Sequence, residues 1–312
     1  MDRIWSDLIQ PPEIMYGVRR WKFPPQEAAH WRKVLRLPDR GVICEVGCGP
    51  GGLLSRIAET SGPASHVVGV DRDTGQLEFA RQRLDELGLG GVALVTGDAC
   101  RLPLPDHCLD ALTSHALIEH LPDTDAFFRE CKRVLRPGGA LSVACAGGRY
   151  SLDNRHPDTP KPIADEIHRL ERIMQPWDDA LSEAFFVWQG GPFIAYPGIV
   201  RGWGLVDFRV DSWSKTVCWD DHRLSEEDRR VFVRLYRSVP PELPPSEAKI
   251  RSALAEAGAT PPSTPYLTEH ERRRLRELYD ERERLALVHA REPGSGPFFA
   301  TSVALVASGI VR

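Results

Sequence analysis

The chain has 312 residues, 42% hydrophobic and 27% charged, a composition that is typical of a globular enzyme and excludes collagen-like, disordered or small disulfide-stapled proteins. Forty lysines and arginines stand against 44 aspartates and glutamates, giving a net charge of −4. No global positive field therefore favours nucleic acid as a partner. The length predicts one large domain or two small ones.

The seven cysteines are an odd number without a C-x-x-C pair, so we expect neither a disulfide framework nor a metal site. Free thiols are typical of a reduced compartment, which predicts a cytoplasmic location. The N-terminal MDRIWSDLIQPPE lacks the features of a signal peptide, and no window is apolar enough to predict a membrane span.

Short apolar runs alternate with helical patterns from residue 41 to 148, which predicts stacked βαβ units and a parallel sheet. Strands are predicted at 41–46, 66–71, 91–98, 108–114, 140–146, 205–213 and 298–308. The sequence therefore predicts an α/β fold with a Rossmann-like, seven-stranded, mostly parallel sheet. Helical cap insertions interrupt the alternation after residue 148.

The first predicted strand ends in the glycine-rich stretch Glu45–Gly52. Glycines there let the backbone approach a ligand at the edge where open α/β sheets bind them, either a dinucleotide or another adenosine-containing cofactor. The spacing G-x-G-x-G, with proline inside, differs from the G-x-G-x-x-G that cradles a pyrophosphate. Glu45 would repel a pyrophosphate but suit a cation. Both details favour S-adenosylmethionine, which carries an ammonium and a sulfonium.

Two further acidic residues end predicted strands. Asp71 lies at the end of the second strand, where a carboxylate can accept hydrogen bonds from ribose hydroxyls. Asp73 is better placed to cap the following helix, which would leave Asp71 free for the ligand. Asp98 and Ala99 follow the third strand, where a carboxylate and a backbone N–H can meet an adenine ring.

The chain resembles the class I S-adenosylmethionine-dependent methyltransferases, most closely the ubiquinone/menaquinone-biosynthesis methyltransferase-like group. The resemblance covers about a third of the chain, within residues 41–148, and rests on VICEVGCGPGG, VVGVDRD, VTGDACRLPLPDHCLDALTSHALIEHLPD and FFRECKRVLRPGGALSVA. It implies that Glu45, Gly47, Gly49 and Gly51 surround the methionine moiety of the cofactor. It implies Asp71 on the ribose, Arg72 beside the adenine, and Asp98 and Ala99 on the adenine, with His115 lining the cofactor and substrate cleft.

His115 is the candidate catalytic residue, because a histidine just past the fourth strand can act as a general base on the accepting atom. The alternative is a histidine that contacts the cofactor or has a structural role. His120, at the start of the next helix, is expected to cap or pack.

The predicted segments are an N-terminal helical segment or lid at 1–40, a cofactor-binding core at 41–150, an aromatic-rich cap insertion at 151–204, the sixth-strand region at 205–221, a helical insertion at 222–297 and the last core strand at 298–312. Ser225 with Asp228, and Thr268 with Glu271, are predicted helix caps in the second insertion. Its Leu275, Leu278 and Leu285 would suit either packing within the chain or a homodimer.

Residues 151–220 hold ten of the 25 aromatic residues, which predicts apolar walls for a substrate pocket. If the insertion covers the reacting methyl group, then Phe185, Trp188, Phe193 and Tyr196 should lie beside the cleft. In the N-terminal segment, Tyr16, Arg20 and Trp21 are the candidate lid residues.

The sequence thus predicts an S-adenosylmethionine-dependent methyltransferase that acts on an O, N or C nucleophile of a small aromatic or lipophilic molecule. Methylation of RNA or protein is the alternative. The acidic charge and the absence of an N-P-P-[YF] motif after the fourth strand, where SHALIEHL stands, count against it. A nicotinamide-dependent oxidoreductase is a further alternative, disfavoured by Glu45 and by the glycine spacing.

Overall fold

The computed structural model describes residues 3–9, 11–151, 159–185, 196–218, 225–236, 243–289 and 299–312. The strands in these ranges are β1 Gly41–Val46, β2 Ser65–Asp71, β3 Ala93–Thr96, β4 Leu109–His115, β5 Leu135–Ser151, β6 Val206–Cys218 and β7 Phe299–Ile310. The helices are α1 Pro12–Lys22, α2 Ala28–Val34, α3 Gly52–Thr60, α4 Thr74–Glu86, α5 Thr124–Val134, α6 Lys161–Phe185, α7 Tyr196–Gly202, α8 Glu226–Tyr236, α9 Glu247–Glu256 and α10 Glu269–His289. Short helical turns are a π-helix at Trp5–Ile9 and 3-10 turns at Pro25–Glu27 and Ile118–His120.

Within the described part of the chain, seven strands form one sheet in the order β3-β2-β1-β4-β5-β7-β6. Strands β1 to β5 pair in parallel, while β7 runs antiparallel to both of its neighbours, β5 and β6. This arrangement confirms the predicted α/β fold with a mostly parallel sheet. The strand order reverses between β1 and β4, and ligands bind outside the carboxyl ends of the strands at such a switch point.

Strand β1 is buried on both faces, as expected for a central strand of a parallel sheet. Its side chains alternate between two cores. Cys44 and Val46 pack in the core that includes Phe127 of α5, while Ile43 packs with Leu53 of α3 on the other face. Helix layers therefore cover both sides of the sheet and fix the end of β1, where the glycine-rich stretch begins.

Three strands differ by more than one residue in length from the predicted ones. The fifth strand was expected at 140–146 but spans Leu135–Ser151, and the sixth was expected at 205–213 but spans Val206–Cys218. Both extensions pair with the long antiparallel β7, through Tyr150 beside Thr301 and Cys218 beside Phe299. The third strand, predicted at 91–98, is shorter, because its pairing with β2 covers Ala93–Thr96 alone.

The helices inserted after β5 and β6 share a core of their own, here called the insertion cluster. Its fully buried members include Trp177 of α6, Leu254 of α9 and Leu275 of α10. Leu278 is also buried there, at 3% exposure. Packing within the chain therefore occupies these two leucines of α10, and they are not available as a dimer surface.

Both predicted helix caps of the second insertion are present. Thr268 and Glu271 form a reciprocal capping box at the start of α10, since the Glu271 N–H donates to Thr268 Oγ1 at 3.2 Å and the Thr268 N–H donates to Glu271 Oε2 at 3.0 Å. Ser225 Oγ accepts from the Asp228 N–H at 3.0 Å before α8.

The N-terminal segment links the insertion cluster to the sheet. Ile4, Leu8 and Ile9 pack against the cluster, and α1 packs on α3. Among the described helices, we find none that is both long and apolar enough to cross a membrane.

Candidate active site

A cavity of about 350 Å³ opens at the carboxyl ends of β1, β2 and β4, where the strand order reverses. The glycine-rich stretch forms its floor, and the segments after β2, β3 and β4 form its walls. Its described lining residues are Trp5, Met15, Arg19, Glu45, Val46, Gly47, Cys48, Gly49, Pro50, Val70, Asp71, Arg72, Gln76, Gly97, Asp98, Ala99, Cys100, His115, Ala116, Leu117, His120, Leu121, Pro122, Asp123 and Ala126. All the predicted site residues except Gly51 are among them.

Three glycines of the glycine-rich stretch adopt positive φ, a backbone conformation that side chains disfavour: 73° at Gly47, 51° at Gly49 and 79° at Gly51. A Cβ atom added to Gly49 would meet nothing within 4 Å, so this glycine faces open space in the cavity. Gly51 lies outside the cavity, where an added Cβ would stand 3.1 Å from Ala80 Cβ of α4. A side chain at this position would crowd Ala80 of α4.

Asp71 is not left free by the cap at Asp73, contrary to expectation. Its Oδ2 accepts a hydrogen bond of 2.8 Å from the Gly49 N–H, and its Oδ1 accepts one of 2.9 Å from the Asp73 N–H. Asp73 does cap α4, by accepting from the Gln76 N–H at 2.9 Å. Burial raises the pKa of Asp71, although these backbone hydrogen bonds oppose the shift. Asp71 therefore both fixes the glycine floor and presents its remaining lone pairs to the cavity.

Glu45 is a buried carboxylate with an unsatisfied oxygen. Glu45 is 3% exposed, and its Oε2 has no hydrogen-bond partner. Burial raises the pKa of Glu45 well above its usual value, and the positive charge of Arg19 acts in the opposite direction. Such a carboxylate is stabilised by a bound cation that supplies N–H donors.

His115 ends β4 and is 2% exposed, with both ring nitrogens lacking a hydrogen-bond partner. The ring of Phe23 contacts it edge-on, with 5.4 Å between the ring centroids. Burial, together with the charges of Arg19 and Lys22, holds the pKa of His115 well below 6.5. The ring is therefore neutral at neutral pH, with one donor and one acceptor nitrogen available to a ligand.

The other end of the cavity combines aromatic and polar groups. Asp98 is exposed, and its Oδ1 accepts from the Cys100 N–H at 2.8 Å. Trp5 contacts His120 edge-on at 4.6 Å between ring centroids, and the Arg72 guanidinium lies 6.0 Å from the Trp5 ring centroid. Burial and the charge of Arg72 lower the pKa of His120 to about 4. This end offers flat apolar surface beside hydrogen-bonding groups, which suits a heterocyclic base.

Comparison with known proteins assigns the chain to a family. Residues 44–143 match the family described as a methyltransferase domain. The chain is 34% identical over 179 residues to the demethylmenaquinone methyltransferase of Listeria monocytogenes, an alignment that covers 55% of this chain and 71% of that protein. The chain belongs to the class I S-adenosylmethionine-dependent methyltransferases.

Two further comparisons differ in the share of the chain that they cover. The methyltransferase is 37% identical over 123 residues to the fatty-acid O-methyltransferase of Mycolicibacterium smegmatis, covering 39% of this chain and 42% of that protein. The phosphoethanolamine N-methyltransferase 2 of Haemonchus contortus, solved with S-adenosyl-L-methionine, has a TM-score of 0.47 at 15% identity. That comparison covers 98% of this chain and 60% of the other.

The cofactor of this methyltransferase family is S-adenosylmethionine, and the cavity has the features that this group requires. The unsatisfied Oε2 of Glu45 can accept from an ammonium group. The open space above Gly49 admits a ligand close to the backbone, and Asp71 and Asp98 lie at the ends of the next two strands. The residues present therefore fit the cofactor.

The N-terminal segment of the methyltransferase covers part of the cavity, but with different residues from those expected. Tyr16 packs on Phe79 of α4 at 5.8 Å between ring centroids, and Arg20 donates to Ser55 Oγ at 2.9 Å on α3. Met15 and Arg19 line the cavity instead. These two are four residues apart on α1 and therefore share a face, whereas Tyr16 and Arg20 share the next one.

The sequence reasoning thus missed Trp5, Met15 and Arg19. The spacing along α1 could have grouped Met15 with Arg19, since the helix begins at the N1 proline, Pro12. Nothing in the local sequence pointed to Trp5, because its place in the cavity depends on the packing of Ile4, Leu8 and Ile9 against the distant insertion cluster.

The described aromatic residues of the first insertion pack in the protein interior and do not line the cavity. Phe185 belongs to the insertion cluster at 8% exposure, and Tyr196 belongs to the core on the α5 side of the sheet at 3% exposure. Trp203 stacks on Phe128 with 4.8 Å between ring centroids. Trp188, Phe193, Phe186 and Trp219 lie outside the described residues. The expected position of Phe185 and Tyr196 beside the cleft is therefore wrong, because each fills a core instead.

Proposed function

We propose that this methyltransferase methylates a small aromatic or lipophilic molecule, bound in the cavity between the cofactor and the N-terminal segment. The observation that carries the proposal is the enclosure of His115, which lies at the cavity wall at 2% exposure against the ring of Phe23. A site buried to this degree suits a compact molecule better than a strand of RNA or a folded protein. The relatives named for demethylmenaquinone and fatty-acid methylation carry lipophilic substrates in their names.

The cofactor would lie along the strand ends, with its methionine moiety near β1 and its adenine near β3. S-adenosylmethionine supplies an electrophilic methyl group on a sulfonium, and the protein contributes alignment and exclusion of water. Glu45 would accept from the methionine ammonium, the backbone of Gly47 and Gly49 would form the floor, and Asp71 would accept from the ribose. Arg72, Asp98 and Ala99 would surround the adenine, as the resemblance implies.

His115 is the proposed catalytic residue. Its neutral imidazole can accept a hydrogen bond or a proton from the nucleophile as the methyl group is transferred. Burial, and after it the charges of Arg19 and Lys22, disfavours the imidazolium form and lowers the pKa of His115. His115 would therefore act most effectively on an acidic hydroxyl or an enol, which gives up its proton readily.

We infer a cytoplasmic location, supported by six described cysteines that are all free thiols. Cys44 and Cys131 are buried within the core, where burial raises the pKa of each thiol, so they pack as small apolar residues.

The proposed function is tested by methyl transfer from labelled S-adenosylmethionine, preceded by calorimetric titration with S-adenosylhomocysteine and separately with NADH. We expect S-adenosylhomocysteine to bind and NADH not to. Offered a mixture of quinols, phenols, fatty acids, RNA and cell protein, the enzyme should place the label in the organic extract. Label in precipitated RNA or protein would overturn the small-molecule proposal, and NADH binding alone would overturn the cofactor assignment.

A further inference from the structure

We propose that Arg19 of α1 binds the carboxylate of the cofactor's methionine moiety, so that the N-terminal segment recognises the cofactor by that group. The proposal rests on the cofactor orientation given under the proposed function, with the ammonium at Glu45. It assigns to the N-terminal segment a role in cofactor specificity beyond covering the cavity.

The position of Arg19 is set by the contact between α1 and the end of the glycine-rich stretch. A Cβ atom added to Gly52 would lie 2.6 Å from Arg19 Cβ and 2.6 Å from the Tyr16 carbonyl oxygen. The missing side chain at Gly52 is therefore what lets α1 settle directly on the first turn of α3. This contact places Arg19 at the β1 end of the cavity, which it lines together with Glu45.

The electrostatics agree with this placement. The positive charge of Arg19 is the main influence that opposes the raised pKa of Glu45, and after burial it is the main cause of the lowered pKa of His115. Arg19 also lines the same cavity as both groups. Arg19 brings a positive charge to this end of the cavity, and that charge can attract an anionic group of a ligand.

Methionine is a zwitterion whose ammonium and carboxylate are attached to the same carbon atom. If Glu45 accepts from the ammonium, the carboxylate must lie beside it and needs donors. Among the described lining residues, the arginines and lysines are Arg19 and Arg72. Arg72 follows β2 and lies over Trp5 at the adenine end, so Arg19 is the cation placed for the carboxylate. A guanidinium can meet a carboxylate with two parallel hydrogen bonds.

Several contacts hold the N-terminal segment to the rest of the chain near this point. The Ser6 N–H donates to Asp73 Oδ2 at 3.0 Å, and Asp7 pairs with Lys249 of α9 at 2.9 Å. Arg234 of α8 pairs with Glu13 of α1 at 3.1 Å. A bond from Arg19 to the cofactor would add a ligand-dependent contact to these, and the segment should become more ordered when the carboxylate is present.

The test compares S-adenosylmethionine with decarboxylated S-adenosylmethionine, which keeps the sulfonium, ribose and adenine but lacks the carboxylate. Calorimetry on the full chain would measure both affinities for the wild type, for Arg19→Gln and for the control Arg20→Gln. Arg20 is the adjacent arginine on α1, but it bonds to Ser55 and Glu59 on α3 and lies away from the cavity.

We expect the wild type to prefer S-adenosylmethionine by about tenfold or more, the range of one charge-assisted contact. Arg19→Gln should abolish that preference. The affinity of this variant for the decarboxylated compound should equal or exceed that of the wild type. Arg20→Gln should keep the wild-type ratio, even if it melts at a lower temperature. Hydrogen exchange across residues 11–22 should slow with S-adenosylmethionine and not with the decarboxylated form.

An unchanged ratio in Arg19→Gln would overturn the assignment of Arg19. If the wild type bound both compounds equally, the carboxylate would have no such partner and the proposal would again fail, while the cofactor assignment would stand. Failure of both compounds to bind the wild type would instead overturn the proposed function.

Discussion

Asp71 accepts a hydrogen bond of 2.8 Å from the backbone N–H of Gly49, and this bond joins the end of β2 to the glycine-rich floor of the cavity. The second carboxylate oxygen of Asp71 accepts from the Asp73 N–H, at the start of α4. One side chain thus fixes two backbone segments that border the cofactor site. Its substitution should disturb both stability and cofactor binding.

Asp71→Asn leaves one side-chain acceptor oxygen and replaces the other with an NH₂ donor, so one of the two backbone N–H groups loses its acceptor. We expect a loss of about 1–3 kcal/mol in the free energy of unfolding, the usual cost of an unsatisfied buried group. Affinity for S-adenosylhomocysteine should fall at least about tenfold, as expected for a lost charge-assisted hydrogen bond. Thermal unfolding and calorimetry measure the two effects.

Asp98→Asn is the matched comparison for that variant, because the Asp98 carboxylate is exposed and accepts a backbone N–H of its own loop, from Cys100. It should weaken binding of the cofactor product with a much smaller loss of stability. An Asp71→Asn protein as stable as the wild type, with unchanged affinity, would remove Asp71 from both roles.

Gly52→Ala tests the contact between α1 and α3. Alanine normally favours a helix by about 1 kcal/mol over glycine, but here its Cβ would stand 2.6 Å from Arg19 Cβ and from the Tyr16 carbonyl oxygen. Neither atom is the far end of a flexible side chain, so α1 must shift. Overpacking of this kind costs about 1–3 kcal/mol, and we expect a lower melting temperature together with weaker S-adenosylhomocysteine binding.

Gly91→Ala serves as the control for that clash, since an added Cβ there meets nothing within 4 Å. It should bind S-adenosylhomocysteine like the wild type. A Gly52→Ala protein with raised stability and full affinity would show that α1 does not press on α3 as described.

The affinity for S-adenosylhomocysteine should depend on pH through Glu45. Burial raises the pKa of Glu45 in the free protein, whereas a bound ammonium would favour the ionised form and lower that pKa. Binding below the raised pKa therefore releases a proton, and affinity should increase as pH rises from about 4.5 through that pKa, then become constant. Calorimetric titration at a series of pH values measures this slope.

Glu45→Gln should bind more weakly and lose most of that pH dependence. A smaller slope of the same sign would remain, because burial also raises the pKa of Asp71. A slope equal to that of the wild type would mean that Glu45 does not receive the ammonium.

His115→Gln separates turnover from binding, once an acceptor has been found. If His115 acts on the accepting atom, kcat should fall by about 100-fold, within the usual range for general base catalysis, while S-adenosylhomocysteine affinity changes little. Because the pKa of His115 is held well below 6.5, wild-type kcat/KM should show no inflection from this residue between about pH 6.5 and 8. Equal losses in kcat and in cofactor affinity would leave His115 as a cofactor contact.

Much of the core was predictable from local sequence. The apolar run at β1 and the glycines after it determine a buried strand and a turn, and Asp73 and Thr268 are recognisable caps because capping depends on residues three positions apart. Asp71 and Asp98 could be placed in the site because the carboxyl ends of parallel strands meet at one edge.

The site residues that the sequence did not predict, or placed wrongly, depend on contacts between distant segments. Trp5 and Arg19 reach the cavity because α1 rests on Gly52 and because Ile4 packs on the insertion cluster, neither of which is encoded locally. The number of aromatic residues in 151–220 predicts that Phe185 lies beside the cleft. Composition does not distinguish a pocket wall from a helix core, and α6 buries Phe185 against its neighbouring helices.

The most direct test of the account is a crystal structure of the full chain with S-adenosylhomocysteine bound. We predict the methionine ammonium at Glu45, the ribose at Asp71, the adenine at Asp98 and the sulfur atom facing His115. S-adenosylhomocysteine bound outside this cavity, or lying in it with the adenine at Glu45, would contradict the account.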